Sequence, residues 1–216
     1  VQLVLIRHGE AHAGFVGPIA GPTGCAGLTE RGRRQAELLR THLAATGRVH
    51  ADVLVASTLP RAIETAELIA PGLGLAVAEH DRDLCEVHTG VADGMDWQVY
   101  NERFGPFDME LEPDRPFAPG GESWNGFHAR VRATLERLAS EYPDETVVAV
   151  CHAGVIMASM RLLLGIDHPD ISAQLRPDNT GLTEWEHFGA RWTLRAYNEA
   201  VHLVGDRLDP VRTISP

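Results

Sequence analysis

Lysine is missing altogether: the 19 basic residues are all arginine. Schiff bases, a P-loop ammonium and a lysine general base are thereby excluded. A coding bias toward G and C accounts for the substitution without a functional reason. Cysteine is scarce, and Cys25, Cys85 and Cys151 are odd in number and widely spaced. That rules against a disulfide framework and fits a reducing compartment. Apolar runs of membrane-spanning length are lacking, the longest being broken by Arg, His or Gly. The first residues, VQLVLI, have neither the basic region nor the cleavage pattern of a signal peptide. The expectation is a soluble cytoplasmic protein without a membrane partner. Positive charge is also short: the net charge is -11, which argues against nucleic acid as a partner. Any anion must then be held by a small local cluster of cations.

What is present is a chain of 216 residues, 44% hydrophobic, enough for a full core. VQLVLI (1–6), DVLVAS (52–57), LAVAEH (75–80) and TVVAVCH (146–152) read as strands. Helices are expected from Thr29, a good N-cap, to Gly47, from about 59 to 70 ending at Pro71-Gly72, from about 122 to 141, and over GVIMASMRLLLG. TGLTEWEHF and RWTLRAYN suggest a hairpin through Gly189, and the last dozen residues a tail. Residues 14–27 read as a Gly/Pro-rich loop, and residues 81–121 as an irregular functional cap. Alternating strands and helices predict an α/β fold: one domain over 1–216, a three-layer α/β/α sandwich with a mainly parallel sheet.

Ligands of such sheets bind at the carboxyl ends of the strands. The first strand ends in Arg7-His8-Gly9-Glu10, the second in Ser57-Thr58-Leu59-Pro60-Arg61, and the fourth in Cys151-His152-Ala153-Gly154. Singly, each histidine or arginine has an ordinary structural explanation. Together, two arginines and two histidines at one sheet edge would repel one another unless an anion sits among them.

These pieces resemble the histidine phosphatase superfamily, the phosphoglycerate-mutase-like group. The likeness runs through RHGE (7–10), LTERGRRQA (28–36), STLPRAIETA (57–66), LCEVHTG (84–90), PGGES (119–123), CHAGV (151–155) and YNEAVHL (197–203). The resemblance implies phosphomonoester hydrolysis with His8 as nucleophile, forming a phosphohistidine. Arg7, Arg61 and His152 would bind the phosphoryl oxygens, and Glu86 would be the proton donor. No metal or organic cofactor is implied, and the partner is a small phosphorylated substrate. The chemistry agrees: phosphoryl transfer needs an in-line nucleophile and surrounding cations. One nitrogen of His8 must be bare while the other donates to a fixed acceptor such as a backbone carbonyl. Glu10 is expected only to pair with nearby arginines.

Other chemistries fit less well. His8-Gly9-Glu10-Ala11-His12 superficially resembles a zinc motif, but the glutamate is misplaced and a glycine at a strand exit opposes a helix. Cys151 would need an arginine six residues on for cysteine-based phosphatase chemistry, and Met157 is there. A non-catalytic module would be expected to lack one of the five site residues. Mutases resemble one another in a tyrosine three residues after the acid, where this chain has Thr89, and Val87 to Gly94 hold no arginine. Arg103 and Arg115 are the cations counted in the cap, which suggests a substrate with one phosphate on a weakly charged body. The family's T-x-x-N after RHGE is replaced by Ala11-His12-Ala13-Gly14, with His12 or a loop amide as a substitute. Phe15, His88, Met95, Trp97 and Trp124 are candidates for the leaving-group pocket, packing being an equal explanation for each. The oligomeric state is unread, a homodimer being compatible.

Overall fold

Uninterrupted apolar runs make strands only where both sheet faces are covered. In a computed structural model describing residues 1–12, 17–166 and 174–205, β1 (Gln2–Arg7) meets that condition. Leu3 and Leu5 face α4 (Trp124–Glu141) and α5 (Ala153–Leu164), in a core with Phe127, Val131 and Ile156. Val4 and Ile6 face α1 (Glu30–Thr46) and α2 (Pro60–Leu73), in a second core with Leu39, Leu43 and Ile69. Two helix layers thus sandwich one sheet, as expected.

The sheet has six strands in the order β3-β2-β4-β1-β5-β6. β2 (Val53–Ser57), β3 (Glu79–Asp81) and β4 (Thr146–Cys151) run parallel to β1. The hairpin of β5 (Leu182–Phe188) and β6 (Arg191–Glu199) adds antiparallel to β1, turning through Gly189 at φ 62°. In the parallel part, strand ends at Arg7, Ser57 and Cys151 come to one edge. β4 lies between β1 and β2, which sets the residues after these strands side by side.

Helix ends follow local chemistry. The Thr29 side chain accepts from Gly32 N–H at the start of α1, and Gly47 ends it at φ 58°. α2 passes through the expected stop at Pro71-Gly72 and ends at Leu73, capped by Gly74. A proline so near the end forfeits little of the helix, and Gly72 lets α2 approach α1, where an added Cβ would lie 2.5 Å from Arg40 O. β3 is shorter than expected. It is an edge strand laddered only at Glu79, His80 and Asp81.

The segment expected to be irregular is more ordered than its pattern suggested. It holds α3 (Trp97–Phe104), N-capped by Asp96, and single 3-10 turns at Arg82–Leu84 and Gly90–Ala92. Ile19, Ala92, Tyr100, Phe117 and Ala118 form a separate small core there. Tyr100 is the buried residue of α3, too little to register as amphipathic periodicity. Among the described residues no helix is long and apolar enough to cross a membrane. Ala13, Gly14, Phe15 and residues 206–216 of the expected tail lie outside the described residues.

Candidate active site

His8 leaves β1 under control of its neighbours. Its backbone N–H donates to Cys151 O at 3.0 Å, and Asn179 Nδ2 donates to its carbonyl at 2.8 Å. The next N–H, of Gly9, donates to Thr65 Oγ1 at 3.0 Å, and that hydroxyl donates to Arg61 O at 2.7 Å. Thr65 thereby ties β1 to the first turn of α2. Gly9 also packs closely on the start of α1, where an added Cβ would lie 2.5 Å from Gly32 O.

The His8 ring is buried, with Nδ1 2.7 Å from Gly9 O. A carbonyl only accepts, so Nδ1 carries the proton and Nε2 the lone pair. Arg61 Nε donates to that Nε2 at 3.1 Å, and Arg61 Nη1 donates to Ala20 O at 3.1 Å. His152 lies beside His8, ring centroids 5.0 Å apart, its Nε2 2.7 Å from Ser57 Oγ. Arg7 Nη1 donates to Pro177 O at 2.7 Å. The two arginines and two histidines expected to converge do so.

Burial and mutual repulsion dominate their electrostatics. Burial, then the charges of Arg61 and Arg7, push the pKa of His8 well below its usual value. Burial, then Arg61, His8 and Arg7, do the same to His152. Burial also lowers Arg7, against the pull of Glu86 and Asp178. Among the described residues, Arg7 Nε and His152 Nδ1 are buried without a hydrogen-bond partner. Such orphan groups are costly unless a ligand completes them.

Glu86 approaches from the start of the cap, just after the 3-10 turn at Arg82–Leu84. Its Oε2 accepts from Gly154 N–H at 3.0 Å, in the first turn of α5, and its Oε1 accepts from Val87 N–H at 3.2 Å. A cavity of about 190 Å3 opens beside it, lined by Thr58, Arg82, Cys85, His88, Thr89 and Asp93 among others.

A family model, the histidine phosphatase superfamily (branch 1), matches residues 3–200. The chain belongs to that superfamily. It is similar to phosphoserine phosphatase 1 of Hydrogenobacter thermophilus, 35% identical over 170 residues, 77% of this chain and 78% of that protein. It is similar to phosphoglycerate mutase-like protein 4 of Arabidopsis thaliana, 29% identical over 207 residues, 94% of this chain and 86% of the other. Among solved structures, a mycobacterial glucosyl-3-phosphoglycerate phosphatase superposes with a TM-score of 0.72 at 28% identity, covering 92% of this chain and 99% of that one. This chain is a histidine phosphatase, and the five residues singled out from its sequence lie around one polar centre.

Several finer expectations change. Arg82 lines the cavity beside Glu86, although the sequence reading of the cap counted only Arg103 and Arg115. Arg115 is spent on Glu112 and Phe104 O, while Arg103 lies over the Phe104 ring. Of the pocket candidates, His88 lines the cavity, Met95 and Trp97 pack into the small cap core, and Trp124 stacks on Phe127. Glu10 pairs with Arg31 at 3.7 Å and accepts from Thr29 Oγ1 at 2.8 Å. Burial raises the Cys151 thiol well above its usual value, which disarms it as a nucleophile. Sequence reasoning missed Asn179 and Thr65, whose part is to hold the backbone of His8. Polar residues distant in sequence carry no signal of that contact, although Asn179 stands beside Thr180, a β-branched residue strained at φ 59°.

Proposed function

We propose that the chain hydrolyses phosphomonoesters through a phosphohistidine on His8, without a metal. The observation that carries this reading is the Nδ1–H bond to Gly9 O at 2.7 Å, which leaves Nε2 unprotonated, the nitrogen that would attack. Nε2 forms a bond to phosphorus as the ester P–O bond breaks, and the Glu86 carboxylic acid gives its proton to the departing alkoxide. The Glu86 carboxylate then takes a proton from water, whose oxygen attacks phosphorus. The P–N bond breaks and the electron pair returns to Nε2. Arg7, Arg61 and His152 face the phosphoryl oxygens and stabilise their charge. Arg61 covers the Nε2 lone pair at 3.1 Å, so a phosphoryl group must take over that donor as it docks.

Leaving groups are bound in the cavity of about 190 Å3 beside Glu86. Arg82 lines it, and so does Thr89, buried with its hydroxyl unpartnered among the described residues. A small body carrying a carboxylate suits these groups. The substrates in the names of the phosphoserine and glucosyl-3-phosphoglycerate phosphatases also carry a carboxylate. Thr89 in place of a tyrosine favours hydrolysis over mutase chemistry.

The test is twofold. His8→Ala should abolish turnover, and acid-labile, base-stable label should map to His8; near-normal activity in that variant overturns the mechanism. O-phosphoserine and phosphoglycerates should exceed neutral sugar phosphates in kcat/KM, with full activity in a strong chelator. Conversion of 3- to 2-phosphoglycerate without phosphate release would make the chain a mutase instead.

A further inference from the structure

PGGES (119–123) has no part in the phosphate chemistry, yet its glutamate meets the loop that carries Glu86. The connection runs through Arg130 on α4, whose side chain is 11% exposed. All five of its N–H bonds are used. Nε donates to Glu122 Oε1 at 2.7 Å and Nη2 to Glu122 Oε2 at 2.8 Å. Nη1 donates to Asp83 O at 2.6 Å and to Cys85 O at 3.1 Å, and Nη2 reaches Glu86 O at 3.3 Å. Three carbonyls of the acid-bearing loop are therefore held by one planar, rigid fork.

Glu122 grips the same loop from its other side. Its Oε2 accepts from His88 N–H at 2.9 Å, and its own N–H donates to His88 O at 2.8 Å. Gly121 permits this closeness, since an added Cβ would lie 2.7 Å from His88 O. Burial opposes ionisation of Glu122, but Arg130 and the His88 N–H outweigh it and hold the carboxyl below its usual range. Glu122 is thereby favoured in its charged form.

We propose that Arg130 and Glu122 are positioning residues for the proton donor: they fix the backbone of residues 83–88 so that the Glu86 carboxyl meets the leaving oxygen. This rests on the reading of Glu86 as donor. The reason is geometric. A general acid must come within about 2.6–3.2 Å of its target. The Glu86 carboxylate accepts one N–H from α5 and one from its own loop, so the loop backbone sets where it stands. A displacement of about 1 Å in such a group is worth about 100-fold in rate. Neither Arg130 nor Glu122 makes a hydrogen bond to Arg7, His8, Arg61 or His152.

The experiment compares an alkyl with an aryl phosphomonoester, because only the alkoxide needs a proton to leave. Arg130→Ala should lower kcat/KM on the alkyl ester about 30–100-fold and on the aryl ester less than about 3-fold, because kcat/KM reports the steps up to alcohol release. Inhibition by inorganic phosphate should stay within about 2-fold, and adding Glu86→Gln should cost almost nothing further. If Arg130→Ala does not fold, Arg130→Lys serves: it keeps the charge, has too few donors for five acceptors, and should show the same leaving-group bias. Glu122→Gln should show it also. Equal losses on both esters, or losses that multiply with Glu86→Gln, would overturn the proposal. Glu86→Gln alone is the control. If it shows no leaving-group bias, the donor assignment falls and the clamp with it; if it does, a failure in Arg130 belongs to the clamp.

Discussion

Gly154→Ala separates the proton-donor chemistry from the rest of the site with a single methyl group. Gly154 lies in the first turn of α5 without a left-handed φ, so its backbone accepts alanine. The obstacle is the Glu86 carboxylate: an added Cβ would lie 2.9 Å from its Cδ and 3.1 Å from Oε2, with Oε1 closer still. The far end of a flexible side chain can give way, so the fold should survive. Alanine contributes roughly 0.5–1 kcal/mol over glycine in a helix. Against that stands the loss of a charged hydrogen bond, about 1.5–3 kcal/mol when buried. The net cost is at most about 2.5 kcal/mol, a fall in Tm of no more than about 10 °C for a chain of this size. Catalysis should suffer more. General acid–base assistance is worth about 10²–10⁴-fold, and a displaced acid should forfeit the lower end, about 10²-fold on an alkyl phosphate. An aryl ester should lose less than about 5-fold. Steady-state kcat/KM on both esters, with a thermal melt, decides the matter. Equal losses on the two, or none, would refute the view that the Glu86 seat at α5 governs proton transfer.

Three further outcomes follow from the same geometry. Gly9→Ala should destabilise the protein by about 1–3 kcal/mol or more, because the obstacle at 2.5 Å is the Gly32 carbonyl, backbone that cannot swing aside; an unchanged denaturant midpoint would contradict this. Cys151→Ala should keep activity within a few-fold, the thiol being buried and its pKa raised, and a hundred-fold loss would reinstate cysteine chemistry. The third concerns pH. His8 and His152 are neutral in the fold, with pKa values well below the ordinary one. Below about pH 6.5 the unfolded chain takes up protons that the fold refuses. Their contribution is complete above that pH and declines as pH falls toward the lowered folded values, by up to about 1.4 kcal/mol per pH unit for each. Urea unfolding from pH 7.5 to 5 should show this slope, and His8→Asn should flatten it. An identical slope in the variant would remove His8 from the account.

The strands and the strand-end residues were legible because buried parallel strands impose apolar runs. A phosphate site at their carboxyl edge imposes cations immediately after them. RHGE, STLPR and CHAG each follow such a run, so sequence order translated directly into spatial order. The loop of the acid was harder. Without the family likeness, Glu86 is one carboxylate among many in a stretch with no periodicity. Its surroundings depend on Arg130, 44 residues later, reaching back to Glu86 O. α3 was invisible because a short cap helix with one buried residue leaves too little pattern. Arg82 was passed over because exposed arginines are common, and only folding sets it beside the acid.

The acidity of the chain sharpens what the site must do. Around the strand ends most carboxylates are already committed: Glu10 to Arg31 and Thr29, Glu64 to Arg33 and Leu28 N–H, Asp81 to Arg137, and Glu122 to Arg130. Asp93 accepts from Gly21, Thr23 and Gly24 N–H, which, against its burial, hold its pKa below the usual range. Those bonds use the acids to fasten loops beside the site and leave little negative charge to neutralise its cations. Arg7 and Arg61 instead spend donors on the carbonyls of Pro177 and Ala20, neutral acceptors that aim a guanidinium without cancelling its charge. At physiological ionic strength the field of distant exposed acids fades over about 8 Å, whereas buried charges are screened much less. The net charge of -11 is therefore compatible with the proposed phosphate site, in which Arg7 and Arg61 would set the sign that a docking phosphate meets.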